Sequence, residues 1–284
     1  MNNDALYFLQ SGKLPINKFE LDMLTDNITI LIIAKRESGK SVLVRAILNH
    51  FKKIPTGIVI APTDETNREY SDFIPESFVY HKYSPEIIAK VMQRQKKIIE
   101  KSKNNSRIDP RCFIVMDDCM GDKNLWKKDP LIGKTLFNGR HYKLTFILTL
   151  QDGIAIPPDL RANFDYVFLL ANDQYNDIKR LHNAYAGMFP SFESFRQVFT
   201  ELTADYGAMV IVKRGANRSF SDKIFYYKAP LLNYKLLNIG CKQMKIFNNN
   251  NINPNWKENK DNIQINEFLL QKKKNKVQIE KLIG

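Results

Sequence analysis

Short, nearly continuous apolar runs alternate with amphipathic stretches along most of this chain. The runs at 28–33 (Ile-Thr-Ile-Leu-Ile-Ile), 57–61, 112–116, 144–150 and 166–170 are rich in β-branched residues and carry almost no polar interruption. That is the pattern of strands buried on both faces, as in a parallel sheet. The stretches between them have the helical period. From Val42 to about Phe51, Val42, Ala46 and Ile47 share a face while Arg45, Asn49 and Lys52 point away. Pro85 opens a long helix with Ile87, Ile88, Val91, Ile98 and Ile99 as its apolar positions. Further helices are expected near 131–142, 174–186 and 191–202, a short edge strand at 77–81, and a late strand pair at 208–212 and 224–227. Strand and helix in alternation predict an α/β fold with a mainly parallel central sheet flanked by helices.

The two ends read differently. Residues 1–27 form a lead-in, with a short helix near 5–10, a Ser11-Gly12 break and Pro15. From about Asn248 the chain turns polar, through Asn248–Asn251 and later Lys272–Lys274. The segment 241–284 is expected to be a basic, Asn/Lys-rich tail, partly disordered or folding on a partner, with Leu269, Val277, Leu282 and Ile283 leaving room for one helix. The domain proper is then 28–240.

A formal charge of +13 over 284 residues favours a polyanionic partner, nucleic acid first. Lys213, Arg214 and Arg218, in a glycine-containing loop after 208–212, are candidate phosphate contacts, as are the tail lysines. Cys112, Cys119 and Cys241 are too few and too scattered for a disulfide framework or a zinc site, which fits a reducing compartment. The histidines have no metal-ligand spacing. No apolar stretch is long enough to span a bilayer, and the N-terminus lacks the basic and apolar regions of a secretory signal.

The chemistry begins directly after the first strand, where Ala34-Lys35-Arg36-Glu37-Ser38-Gly39-Lys40-Ser41 has the form of a phosphate-binding loop. Backbone N–H groups of such a loop cradle nucleotide phosphates, Lys40 offers a positive charge to the outer phosphates, and Ser41 gives a hydroxyl to Mg²⁺. The helix from Val42 aims its positive end at the same anion. Ala34 replaces the commoner glycine at a position that needs only a small residue.

Phe113-Ile114-Val115-Met116-Asp117-Asp118 is a second nucleotide signature, four apolar residues and then two acids. In a P-loop fold this strand is expected beside the loop strand, with Asp117 delivered to the Mg²⁺ shell and Asp118 placed to orient or deprotonate the attacking water. The strand 144–150 ends in Gln151, whose amide can contact both a γ-phosphate and the lytic water. Arg140, upstream of that strand, and Arg161, after Pro157-Pro158, are equal candidates for an arginine finger acting on a neighbouring subunit's phosphoryl group; either could instead be a structural clamp.

Together these blocks resemble one family. The loop, the Phe-Ile-Val-Met-Asp-Asp strand, and the stretch from Asn138-Gly139-Arg140-His141 through Gln151 to Leu160-Arg161-Ala162-Asn163 are similar to the genome-packaging ATPases of nucleocytoplasmic large DNA viruses and virophages, the poxvirus-type branch of the FtsK/HerA superfamily. The likeness spans about 28–215. It implies a RecA/ASCE-like P-loop core assembled as a hexameric or pentameric ring. Such a ring hydrolyses ATP at subunit interfaces and drives double-stranded DNA into a preformed capsid at its vertex, in the host cytoplasm or the virion. By the same likeness Lys40 and Ser41 bind nucleotide and Mg²⁺, Asp117 holds the metal, Asp118 activates water and Gln151 senses the γ-phosphate. Asp118 departs from the glutamate that many relatives carry.

Two other readings stand beside this one. A P-loop kinase or phosphotransferase would need a phosphoacceptor pocket and a lid of arginines, and the lid and base-binding motifs of such kinases are not evident in the sequence. A nucleotide-gated scaffold for capsid assembly would bind ATP without needing to turn it over.

Overall fold

A computed structural model describes residues 14–215, 219–233 and 237–251. Nine strands form one sheet: β1 (Asn17–Lys18), β2 (Thr29–Ile33), β3 (Thr56–Ile60), β4 (Val79–Tyr80), β5 (Cys112–Met116), β6 (Leu144–Leu150), β7 (Tyr166–Leu170), β8 (Gly207–Val212) and β9 (Ile224–Lys228), in the spatial order β1-β9-β8-β7-β2-β6-β5-β3-β4. Every neighbouring pair is parallel except β7/β8 and β8/β9, so β8 alone runs backwards. Every residue of β2, β3, β5, β6, β7 and β8 is buried. Their apolar runs are continuous for that reason: helices cover both faces.

The helices are α1 (Lys40–His50), α2 (Pro85–Asn104), α3 (Pro130–Asn138), α4 (Tyr175–Tyr185), α5 (Phe192–Leu202) and α6 (Lys242–Asn251), joined by several single turns. Ser84 caps α2 and Asp129 caps α3, each accepting an N–H two residues on with proline at the first helical position. Buried Gln95 of α2 donates to the carbonyls of Pro110 and Tyr142, both at 2.7 Å, and so pins this helix to the entries of β5 and β6. The expected helix over 131–142 stops at Asn138, and Gly139–Tyr142 continues as a 3-10 turn.

Three placements differ from the sequence expectation. The strand carrying Asp117 does not lie beside the loop strand: β6 pairs with β2 on one side and β5 on the other. Hydrophobic runs reveal strands but not their lateral order.

The lead-in is not separate from the sheet. Asn17 and Lys18 pair with β9, and Phe19 is fully buried, edge-on to Tyr166, Phe168, Phe225 and Tyr227. A two-residue strand carries no periodicity to read.

The folded body also runs past 240. Helix α6 buries Met244, Asn248 accepts the Ser77 N–H at 2.8 Å, and Phe247 stacks at a tilt on Phe78. Its asparagines look like low complexity, yet Asn248 is a tertiary contact. The predicted helix near 5–10, Arg218 and the tail beyond 251, with Leu269, Val277, Leu282 and Ile283, lie outside the described residues.

Candidate functional site

The carboxyl ends of β2, β5 and β6 converge. From β2 the chain enters the phosphate-binding loop, where Glu37 (φ 61°) and Gly39 (φ 93°) are both left-handed. Glycine takes that conformation without penalty, whereas Glu37 is held there at a cost of roughly 1 kcal/mol. Ser38 Oγ donates to the Lys35 carbonyl at 2.8 Å and closes the turn. No side chain caps the first turn of α1, and no acid lies in it. A helix start built this way suits an anion.

Lys40 Nζ reaches across β6 to within 2.9 Å of Asp117 Oδ1. The carboxylate is 1% exposed and also accepts a hydrogen bond from Thr149 Oγ1 on β6. Thr149 Oγ1 in turn accepts the Asp118 N–H at 3.2 Å. Asp118 is left-handed (φ 51°), and Gln151 Nε2 donates to both of its carboxylate oxygens, at 2.9 and 2.8 Å. Thr149 and Gln151 alternate onto the same face of β6, so the intervening strand is the bridge between loop and acids. Tyr70, from the turn after β3, is fully buried near Asp117. Burial first, then the Asp117 charge, hold this phenol well above its ordinary range.

A cavity of about 680 Å³ opens over this site. Ala34, Lys35, Arg36, Glu37, Gly39, Lys40, Ser41, Val42, Asp118 and Gln151 line one side. Ser41 and Asp117 offer a hydroxyl and a carboxylate, hard oxygen donors that suit Mg²⁺. Among the described residues no group of three or more His, Cys, Asp or Glu could hold a metal alone. Two protein ligands are what Mg²⁺ needs when substrate phosphates and water complete its shell.

Arg140 and Arg161 are not in this cavity. Each precedes a strand parallel to β2, whereas Lys40 follows β2, so both lie toward the opposite end of the sheet. Arg140 is exposed and borders a smaller cavity of about 220 Å³ with Lys213 and Arg214. The Arg161 guanidinium sits 5.7 Å from the Tyr185 ring centre. Lys213 Nζ donates to the Arg161 carbonyl at 2.7 Å, and Arg214 donates to Thr25. Desolvation of its ammonium end, then the Arg161 charge, hold Lys213 below the ordinary lysine range. Neither arginine lines the cavity over its own subunit's loop.

Sequence reasoning missed Thr149 and the wall formed by Asp205, Tyr206, Tyr227 and Lys228. Thr149 had a signal, a buried polar residue two before Gln151 in an otherwise apolar strand end. The wall had none, because it comes from β8 and β9, far along the chain.

The chain is similar to known proteins in sequence and in fold. Residues 16–187 match the family model described as Poxvirus A32 protein. A protein of Acanthamoeba polyphaga mimivirus is 38% identical over 249 residues, covering 86% of this chain and 87% of that one. One from Invertebrate iridescent virus 6 is 35% identical over 235 residues, covering 81% and 88%. Among solved structures, the pCW3 conjugation coupling protein TcpA with ATPγS superposes with a TM-score of 0.50 at 13% identity, over 72% of this chain and 60% of that one. The genome packaging NTPase B204 from Sulfolobus turreted icosahedral virus 2, in complex with ATP-gammaS, gives 0.49 at 19% identity, over 73% and 100%. At these identities the structural likeness concerns the fold.

Proposed function

The chain belongs to the Poxvirus A32 protein family, the genome-packaging ATPases, and from that membership we propose that it is the ATP-driven motor that moves double-stranded viral DNA into a preformed capsid. The observation that carries this reading is the 2.9 Å contact of Lys40 with Asp117 across β6, with the Asp118–Gln151 pair beside it in one cavity.

In the mechanism that follows, Lys40 exchanges Asp117 for the outer phosphates of ATP. Asp117, freed from that ion pair, and Ser41 would hold Mg²⁺, which would neutralise phosphate charge. The loop N–H groups and the first turn of α1 hold the phosphate chain. Asp118 orients the attacking water and accepts its proton. Gln151 releases the Asp118 carboxylate to meet the γ-phosphate, so the Asp118–Gln151 pair is the resting form of the water-activating group. Water adds to the γ-phosphorus and the bond to the β-phosphate oxygen breaks, giving ADP and phosphate.

Arg140 or Arg161 completes the charge from a neighbouring subunit, which makes the active form a homo-oligomeric ring of five or six copies. Basic surface, Lys213 and Arg214 included, meets DNA phosphates without reading sequence. The ring acts at the capsid vertex, in the host cytoplasm or on the virion.

ATP hydrolysis measured with and without duplex DNA, with particle mass recorded in parallel, tests the proposal. Stimulation by DNA in a ring-sized particle is expected. ATP consumption that needs a small phosphoacceptor, with the phosphoryl group moved to it, would make the protein a kinase, and capsid assembly that persists without hydrolysis would make it a scaffold.

A further inference from the structure

Beyond the loop residues, the main cavity is walled by Tyr206 just before β8, Ala208 of β8, Tyr227 of β9, and Ala229 and Leu231 after it, with Asp205 and Lys228 paired to each other. Two aromatic rings and three aliphatic side chains beside a phosphate cradle make an unusual surface to leave open to water.

The turn that presents Tyr206 is strained. Asp205 (φ 49°) and Tyr206 (φ 60°) are consecutive left-handed residues, a conformation that disfavours a side chain as large as tyrosine. Gly207 follows because a Cβ there would lie 2.3 Å from the Leu202 carbonyl oxygen. Burial of the ring does not offset the strain, since Tyr206 is 66% exposed. The turn does set the ring over the phosphate loop: a Cβ on Gly39 would lie 3.5 Å from both Cβ and Cδ1 of Tyr206. The Asp205–Lys228 ion pair ties the turn to β9. Leu231, 89% exposed, borders the same space. Backbone strain maintained to hold an aromatic ring out of the core and beside a ligand loop indicates a ligand contact.

We propose that Tyr206 is the stacking platform for the nucleobase of the bound nucleotide, with Leu231 as an apolar neighbour in the same subsite. This rests on the reading above that the loop holds ATP. A flat aromatic ring is the chemistry that takes a base by its π-face. The remaining polar pair, Asp205 and Lys228, is occupied with itself, so the subsite holds a base without reading its edge.

The test compares calorimetric binding of a non-hydrolysable ATP analogue with that of inorganic tripolyphosphate, which has no base, both with Mg²⁺ and the full chain. Tyr206→Ala is expected to weaken the ATP analogue by about tenfold and leave tripolyphosphate unchanged. Tyr206→Phe should keep wild-type affinity, and Tyr206→Trp should give emission that the analogue quenches and tripolyphosphate does not. Tyr206→Ala that binds the analogue within twofold of wild type, or that loses both probes equally, overturns the assignment. Wild-type protein that binds neither probe would instead overturn the ATP reading beneath it.

Discussion

Lys40 and Asp117 meet 2.9 Å apart although a whole strand, β6, separates the elements that carry them. The carboxylate is buried, so its lysine partner stabilises the resting fold as well as serving the nucleotide. Lys40→Ala should therefore do two things. ATP turnover should fall by at least about 100-fold, with nucleotide affinity lost. Stability without nucleotide should fall by about 3 kcal/mol, because a buried charge loses its partner. Urea unfolding beside an ATPase assay reads both, and a variant with unchanged hydrolysis would end the motor reading.

Asp118 and Gln151 separate binding from chemistry. Asp118→Asn keeps the shape of the side chain and removes the proton acceptor. Nucleotide should still bind, while turnover drops by about 100-fold or more. Gln151→Ala frees both Asp118 oxygens from the amide, at 2.9 and 2.8 Å, and should give the same outcome through loss of water positioning. Binding titrations paired with single-turnover hydrolysis check this; loss of binding in either variant would place these residues in the phosphate cradle instead.

Helix α6 makes the end of the folded body a matter of experiment. A chain ending after Gly240 loses the buried Met244 and the Asn248–Ser77 contact, and should lose about 2 kcal/mol or more of stability. A chain ending after Asn251 keeps both. It should melt like the full protein, hydrolyse ATP at the basal rate and bind duplex DNA more weakly, since lysines such as Lys272–Lys274 are gone. Equal melting temperatures for the two truncations would remove α6 from the stabilising contacts.

Alkaline pH should unfold the protein through groups that the fold keeps protonated. Burial pushes the Cys112 thiol from 9.0 up to about 12 and, with the Glu20 charge adding to it, the Tyr227 phenol from 10.0 to about 12. Tyr83 and Tyr185 are raised as well, chiefly by burial. For an acid with a raised folded value, the unfolded chain loses its proton first. Stability is then intact below about pH 9 and falls as pH rises toward 12, by up to about 1.4 kcal/mol per pH unit for each group. Lys213, lowered in the fold, works the other way below 10.5, but it is one group against several. Urea midpoints at pH 8, 10 and 11 should fall steadily, and Tyr227→Phe should flatten the slope by one group. A flat profile would mean that these phenols ionise freely in the folded chain.

The set of residues that converge at the candidate site was legible because each signal is local. Ala34 to Val42 lie in one stretch, and Asp117, Asp118 and Gln151 each sit where an apolar run ends, so residue type and position pointed to the same role. Strand boundaries were legible for the same reason: 112–116, 144–150 and 166–170 are also the observed β5, β6 and β7. Lateral order was not. Nothing in the spacing of Asp117 and Lys40 says that Thr149 stands between them. The Tyr206 wall was hidden too, because it depends on β8 running antiparallel to β7 and on a backbone conformation that tyrosine does not advertise. Phe19 and Asn248 looked peripheral because the partners that fix them, Tyr227 and Ser77, are more than a hundred residues distant.

The outermost strands, Asn17–Lys18 and Val79–Tyr80, are two residues each. Rims this short give another copy almost no row of N–H and C=O groups on which to zipper. Lateral growth of the sheet from one molecule into the next is thereby blocked at its described borders. In the ring proposed above, contacts between copies would then fall to loops and helix flanks, with no ladder to unpick.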